Sequence, residues 1–255
     1  MKSNCVQESN SRSSTTSTRN RNTEISLNPP DLLYIWSSLT PELRKGLWKD
    51  LPSEARSIVN PLWWMRNGTK TQDEQDLTNP FKPFPNYPYF DVLQDLASRE
   101  SILFVEKSRT MMASWWAVAD DMHYVMTHPP AKAIYWCQDM DRSLLLIRYA
   151  WTLWEQQTEF LKQAFPLKRP RDRQAVDTLE FAAGGKCIAL PGKDSNKIRS
   201  EHPTRLLIDE ACFIENGGEA FDVAISSKVL KVKVISSAAP SWFRRLTKCA
   251  VREDL

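Results

Sequence analysis

The chain has 255 residues, enough to bury one good hydrophobic core. Its 42% hydrophobic residues, 25% charged residues and net charge of +3 are ordinary for a soluble protein, and the charge is too small to argue for nucleic acid by itself. The five cysteines form no C-x-x-C pair, which favours reduced thiols over a disulfide framework or a zinc site. No apolar run approaches the roughly 18–20 residues of a membrane span, and the start of the chain has no signal-peptide pattern.

The first part of the chain predicts a tail followed by short helices. Residues 1–28 are polar with almost no apolar anchors, so we expect a disordered polar tail. From 29 to 70 we expect a helical N-terminal segment of two or three short helices, because TPEL and LPSEARSIV carry helix-start signals. We assign 71–255 to the main domain. Its Pro- and aromatic-rich stretch 79–90 cannot be a regular helix, and the residues after it are helical.

Four short apolar runs in the main domain predict buried strands. They begin at Ile102, Ala131, Thr204 and Val232. Between them we expect a helix over 113–127, one long helix from Asp139 or Asp141 through about 165, a hairpin over 176–190 and a helix over 220–230. Alternating strands and helices predict an α/β fold with a mainly parallel sheet flanked by helices. Ligands bind such sheets outside the carboxyl ends of the strands.

The stretch ILFVEKSRTMMASWW, residues 102–116, has the strand, turn and helix layout of a phosphate-binding loop. The usual pattern G-x-x-x-x-G-K-[ST] is absent. Lys107 and Arg109 are nonetheless placed to neutralise phosphates, and the Ser114 hydroxyl is placed to bind Mg²⁺. The alternative is an ordinary strand, turn and helix with solvated charges.

A second pattern, TRLLIDEA at residues 204–211, lies about a hundred residues further along the chain. Four apolar residues followed by Asp-Glu are typical of a Walker B strand. Asp209 would hold Mg²⁺ and Glu210 would orient and deprotonate an attacking water. The alternative is a strand that ends in a solvated acidic turn, but the two patterns supply complementary halves of one site.

Three further features are more ambiguous. Ser236 and Ser237 end the last strand and would sense a γ-phosphate, or they simply lead into a turn. Arg199, in the polar loop 193–205, would be an arginine finger or a solvated charge. A ring of the aromatic segment such as Tyr87 would stack on adenine or pack as structured loop. Residues 166–205 carry nine Lys/Arg and five Asp/Glu, a candidate DNA-facing patch.

Taken together, EKSRTMMASW, LLIDEACFI and ISSAAPS resemble the ATPase domain of the large terminase subunit of tailed bacteriophages, over roughly residues 60–250. That domain is a P-loop NTPase of the additional-strand class. The resemblance implies a catalytic role for Glu210, Arg109 and Arg199, metal binding by Ser114 and Asp209, and coupling by Ser236 and Ser237. It implies nucleotide binding by the loop and one tyrosine, namely Lys107, Ser108, Arg109, Thr110, Met111, Met112, Ala113, Ser114 and Tyr87.

The resemblance also implies cofactors, partners and a location. The cofactors would be ATP and Mg²⁺. The partners would be double-stranded DNA, a portal protein, a small terminase subunit and copies of the chain in a ring on the portal, in the cytoplasm of the bacterial host and with no membrane. The expected function is that of a DNA-packaging ATPase motor. The alternative is a truncated prophage remnant or another nucleic-acid-dependent P-loop ATPase without packaging activity.

Two departures from the family pattern carry expectations of their own. The chain ends at Leu255, shortly after the coupling motif, so we expect the family's C-terminal nuclease domain and its activity to be absent. Met112 stands where the family usually has Gly, and a Met is strained there if the position needs a positive φ.

Overall fold

A computed structural model describes residues 29–192, 196–215 and 217–250 of the chain. The predicted tail, residues 1–28, lies outside the described residues, as do residues 193–195 of the predicted basic loop. None of the helices in the described ranges is both long and apolar enough to cross a lipid bilayer.

Short helices form the N-terminal segment. They are α1 (Pro29–Ser38), α2 (Pro41–Leu47), α3 (Ser53–Val59) and α4 (Pro61–Trp63), and α4 runs into a wider π-helical turn at Trp64–Gly68. Their starts follow local chemistry. The Thr40 hydroxyl and the Asn60 side-chain oxygen each accept a hydrogen bond from the third backbone N–H of the following helix, which opens with proline.

The chain then forms a small antiparallel pair, β1 (Thr71–Gln72) and β2 (Phe81–Lys82), and helix α5 (Pro88–Arg99). The prediction that residues 79–90 contain no regular helix is wrong for the last three of them. Pro88 is the first residue of α5, where its missing N–H has no intrahelical partner to lose and its fixed φ suits the helix.

Strands and helices alternate through the rest of the chain, as predicted. In order they are β3 (Ile102–Lys107), α6 (Ala113–Thr127), β4 (Lys132–Cys137), α7 (Met140–Glu155), α8 (Glu159–Ala164), β5 (Thr178–Glu180), β6 (Lys186–Pro191), α9 (Asn196–Glu201), β7 (Arg205–Asp209), α10 (Gly217–Ser226), β8 (Lys231–Ser237) and α11 (Trp242–Ala250).

The six-stranded sheet has the order β3-β8-β7-β4-β6-β5. All neighbouring pairs are parallel except β5 with β6, which form the predicted hairpin. Strand β8 therefore lies between β3, which leads into the phosphate loop, and β7, which carries Asp209. An inserted strand at this position defines the additional-strand class, so the predicted fold class is confirmed.

The single long helix predicted after residue 139 is wrong, because the structure breaks it into α7 and α8. Gln157, in the break, is buried and its side-chain oxygen accepts a hydrogen bond from the indole N–H of Trp64 at 2.9 Å. The backbone N–H of Thr158 donates to the carbonyl of Gly68 at 3.2 Å. These bonds to the N-terminal segment replace those that a continuous helix would make.

Both faces of the sheet are covered. Along β4, Ala133 and Tyr135 pack into the core beneath α5, α6 and α7, whereas Ile134 and Trp136 pack into a second core on the opposite face. This alternation is the period of two expected of a strand. A sheet packed on both sides holds the carboxyl ends of its strands in fixed positions, and those ends carry the polar residues singled out above.

Candidate active site

The phosphate loop joins β3 to α6 through a backbone with alternating handedness. Thr110 (φ 66°) and Met112 (φ 52°) both have positive φ, and Met112 is the residue that caps α6. Such a path turns successive N–H groups inward and makes a concavity that suits anions. Met112 stands where the terminase family usually has Gly, and its φ is positive. The strain expected for a Met at such a position is therefore present. A left-handed non-glycine residue costs on the order of 1 kcal/mol or more.

Three strand ends converge on the Glu210 carboxylate. Lys107, at the end of β3, donates to Glu210 Oε1 at 2.9 Å, and Ser237, at the end of β8, donates to Oε2 at 3.4 Å. The parallel register places Lys107 opposite Ser237 and Asp209 opposite Ile235. The Lys107 side chain is only 10% exposed. Its charge therefore acts in a poorly hydrated environment, where electrostatic interactions are strong.

Asp209 is buried beside this group and is incompletely bonded. Its Oδ1 atom has no hydrogen-bond partner among the residues that the structure describes. Burial raises the pKa of Asp209 to about 6, while the nearby Ser114 hydroxyl and the Lys107 ammonium act to lower it. Magnesium in proteins commonly takes one or two carboxylates together with phosphate oxygens and waters. Asp209 and Ser114 therefore fit the role predicted for them, as holders of a Mg²⁺ ion delivered with nucleotide.

A cavity of about 840 Å³ opens over these residues. It is lined by the phosphate loop, by Asp209 and Glu210, and by Gln138 and Arg142 at the start of α7. Its volume is within the range of small-molecule sites. Phosphate-binding groups, an acidic pair and an additional cation thus share one concave surface.

The structure brings most of the predicted site residues to this cavity. Its lining includes Lys107, Arg109, Thr110, Met111, Met112, Ala113, Ser114, Asp209, Glu210 and Ser237. Four predicted residues are placed elsewhere within the described part of the chain: Ser108, Tyr87, Arg199 and Ser236.

Each of these four has a definite environment. Ser108 is exposed in the loop, and Arg199 is exposed on α9. Tyr87 is exposed and stacks on Tyr89, with ring centroids 5.4 Å apart. Tyr89 in turn donates to the carbonyl of the loop residue Met111 at 3.0 Å, so Tyr87 is one ring removed from the loop. Ser236 is buried, and its hydroxyl accepts the N–H of Cys212 at 2.9 Å. It therefore braces the turn after Glu210 and does not line the cavity.

Sequence reasoning missed the α7 wall of the cavity. Gln138 and Arg142 follow β4, and the rule that ligands bind at the carboxyl ends of parallel strands would have found them. Tyr149 also lines the cavity and stacks on Trp115, with ring centroids 3.9 Å apart. No sequence pattern indicates that contact, because it depends on how α6 and α7 pack.

The basic stretch 166–205 is less available to DNA than its charge suggests. Arg205 is buried and paired with Asp120 and Asp121, so counting it in a DNA-facing patch was wrong. Lys168 pairs with Glu180 at 2.9 Å, and Arg171 pairs with Glu155 at 2.7 Å. Arg169 and Arg173 remain exposed at the surface, with no carboxylate within salt-bridge distance in the described ranges.

Comparison with known proteins gives a likeness in fold. No protein-family model matches the chain, and no curated protein matches it. Among solved structures, the ATPase domain of the large terminase of Thermus phage P74-26 is similar. A point mutant of that domain gives a TM-score of 0.51 at 13% identity, over 64% of this chain and 69% of that one. The unmutated domain gives a TM-score of 0.49 with the same identity and coverage. The chain therefore has the fold of a phage large terminase ATPase domain, and the resemblance seen in the sequence is confirmed at the level of fold.

Proposed function

We propose that the chain is a Mg²⁺-dependent ATP hydrolase that serves as the motor module of a phage DNA-packaging terminase. The observation that carries the proposal is the convergence of Lys107, at the end of β3, with Asp209 and Glu210, at the end of β7, beside a phosphate-type loop. These three groups are the cation, the metal ligand and the base that phosphoryl transfer to water needs.

Each residue of the cavity has a distinct role in ATP hydrolysis. Lys107, Arg109 and the loop N–H groups bind the phosphates, and Ser114 with Asp209 holds magnesium, which when bound supplies positive charge to the phosphate oxygens. Ser237 and Lys107 fix the two oxygens of Glu210. Glu210 orients a water molecule and accepts its proton. Arg199, exposed on α9, supplies a further positive charge from the same chain or from a neighbouring copy.

The terminase likeness in fold also supports a proposal for the substrate and partners of the motor. Double-stranded DNA is the translocated substrate, and the exposed Arg169 and Arg173 are candidates to contact its phosphates. The module works as a homo-oligomeric ring on a portal protein, with a small terminase subunit, in the cytoplasm of the bacterial host. Residues 29–70 act as a helical segment attached to the ATPase domain of residues 71–255.

The test is steady-state ATP hydrolysis by the full chain, with and without double-stranded DNA. We expect DNA to raise the rate and Lys107→Ala to lower it by roughly 100-fold or more, because the substitution removes the cation at the phosphates. Lys168→Ala, which breaks only a surface ion pair, is the matched control and should leave the rate unchanged. A rate that survives both Lys107→Ala and Glu210→Gln would overturn the proposal.

A further inference from the structure

The start of helix α7 presents a cation to the nucleotide cavity that no motif predicts. Arg142 lies in the first turn of α7 and lines the same cavity as the phosphate loop. Its side chain is exposed, and it has no carboxylate within salt-bridge distance among the residues that the structure describes. An exposed arginine on the wall of a phosphate-type cavity is free to bind an anion there.

Hydrogen bonds and stacking hold this turn firmly in place. The Asp139 carboxylate caps α7 by accepting the backbone N–H of Arg142 at 2.9 Å. The buried Ser143 hydroxyl donates to the carbonyl of Leu190 at 2.7 Å and accepts the N–H of Cys137 at 3.1 Å, which ties α7 to β6 and β4. Further along α7, Tyr149 stacks on Trp115 next to the phosphate loop. The backbone that carries Arg142 is therefore preorganised relative to the loop.

The strand order indicates which part of a nucleotide Arg142 would meet. The loop after β3 binds phosphates, and Glu210, at the end of β7, marks the position of hydrolysis. Strand β4 is the next neighbour of β7 on the side away from β8 and β3. Arg142 follows β4, so it lies on the β4 side of Glu210, and we expect it next to the phosphate that Glu210 would face. On the same face of α7, Leu145, Leu146 and Tyr149 also line this cavity, so Arg142 belongs to the helix face turned towards it.

We propose that Arg142 contacts the terminal phosphate of ATP from the α7 side of the cavity. This inference rests on the proposed function, because it assigns one more ligand to the same nucleotide. Lys107 and Arg109 would approach the phosphates from β3 and its loop, and Arg142 from α7, which follows β4 on the other side of β7. The contact would distinguish ATP from ADP, since ADP has no phosphate at that position.

The same helix supplies a matched control. Arg148 is also exposed, but it lines a different cavity, shared with Asp141 and Trp151 on another face of α7. Replacing Arg142 or Arg148 by Gln removes one positive charge from the same helix and keeps a polar side chain of moderate length. Only the first replacement changes the nucleotide cavity.

The experiment is calorimetric titration of the full chain with Mg-ADP and with Mg-ATP, the latter as a non-hydrolysable analogue because the chain is proposed to hydrolyse ATP. We expect Arg142→Gln to weaken Mg-ATP binding roughly 10- to 100-fold, as loss of a charge-assisted hydrogen bond does, and to leave Mg-ADP binding unchanged. Arg148→Gln should change neither affinity. Arg142→Lys, which keeps the charge, should recover part of the preference for ATP. The melting temperatures of these variants should equal that of the wild type, because both arginines are exposed.

Each other outcome has a distinct meaning. Equal weakening of ATP and ADP by Arg142→Gln overturns the assignment to the terminal phosphate, as does unchanged binding of both nucleotides. If the wild-type chain binds neither nucleotide, the proposed function itself fails, and this inference fails with it. If the wild type binds both and only the Arg142 result differs from expectation, the proposed function stands without this contact.

Discussion

Two clusters of charged residues lie on the six-stranded sheet and its flanking helices, and they differ in how their charges are paired. The core ion cluster consists of Asp120 and Asp121 on α6, Arg205 on β7 and Lys233 on β8. Lys233 contacts Asp120 at 2.5 Å and Asp121 at 2.7 Å, and Arg205 contacts both aspartates. One oxygen of Asp121 has no hydrogen bond, but its other oxygen contacts both cations. Every charge in the core ion cluster therefore has an opposite partner.

The second cluster, at the carboxyl edge of the sheet, is incompletely paired. Lys107 and Glu210 pair with each other, but neither Asp209 nor Arg142 has a group of opposite charge within salt-bridge distance in the described part of the chain. The two buried aspartates show the difference. Burial opposes ionisation of Asp120, yet Arg205 and Lys233 outweigh it and hold the pKa of Asp120 below its usual range, whereas burial raises the pKa of Asp209 to about 6. Complete pairing indicates a structural role, and incomplete pairing in a cavity indicates a ligand site.

The largest effect should come from breaking the core ion cluster. Lys233→Met removes one of its two cations and leaves two buried carboxylates with one arginine, so we expect the free energy of unfolding to fall by about 3–5 kcal/mol. Denaturant unfolding measures it. The exposed pair of Arg99 and Asp95 is the control, and Arg99→Met there should cost about 0–1 kcal/mol. If the two variants lose similar amounts of unfolding free energy, the core ion cluster is no more important to stability than an exposed ion pair.

Replacing the proposed base should separate binding from hydrolysis. We expect Glu210→Gln to lower the turnover rate by about 100-fold or more, because the amide cannot accept a proton from water. Mg-ATP should still raise the melting temperature of this variant, since Lys107, Ser114 and Asp209 are retained. Glu201→Gln, which alters an ion pair with Lys132, should hydrolyse ATP at the wild-type rate. If hydrolysis by Glu210→Gln is normal, the base has been assigned wrongly.

The two buried aspartates should respond to pH with opposite signs. The folded-state pKa of Asp209 is about 6, above the ordinary 3.8, so its contribution to stability is present below pH 3.8 and is lost as pH rises through 6. Asp209→Asn should therefore be more stable than the wild type at pH 7, by about 3 kcal/mol.

Asp120 provides the comparison. Its folded-state pKa is depressed, so its contribution is present above the ordinary pKa of 3.8 and is lost as pH falls below that value. Asp120→Asn should be less stable than the wild type at pH 7. Urea unfolding without nucleotide from about pH 3.5 to about pH 7.5, a range that includes the ordinary carboxyl pKa and the folded-state pKa of about 6 for Asp209, measures both variants. Two variants that shift stability in the same direction at pH 7 would contradict the account.

The smallest effect concerns the loop backbone. At Met112 we expect the Gly variant to be more stable than the Ala variant by about 1 kcal/mol, because only glycine adopts positive φ without strain. Both substitutions remove the side chain, so their difference isolates the backbone. At Arg148, within α7, the order should reverse, with Ala favoured by about 1 kcal/mol. Thermal unfolding of the four variants measures both differences. The same order at both positions would count against a strained loop.

The fold was predictable because it depends on local patterns. Apolar runs bounded by turns located β3, β4, β7 and β8, and the parallel arrangement then placed Lys107, Asp209 and Ser237 at one edge. The break between α7 and α8 was not predictable, because it depends on hydrogen bonds from Gln157 and Thr158 to residues about 90 positions earlier in the chain.

In both charged clusters, only the residues that belong to a sequence motif were predictable. Asp120 and Asp121, in the middle of α6, look like exposed helix residues, and only the packing of α6 on the sheet pairs them with Arg205 and Lys233. Arg142 belongs to no motif and is recognised by the cavity it lines. When the partner of a charged residue is distant in the sequence, only the structure shows whether that charge is paired.

The most direct test of the account is the melting temperature of the full chain with saturating Mg-ATP. A ligand that binds only the folded state at 100 times its Kd stabilises that state by about 2.7 kcal/mol. We predict a clear rise in the melting temperature of the wild type and of Lys168→Ala, and a much smaller rise in Lys107→Ala. No rise in the wild type, or an equal rise in all three proteins, would contradict the claim that the carboxyl edge of this sheet binds ATP.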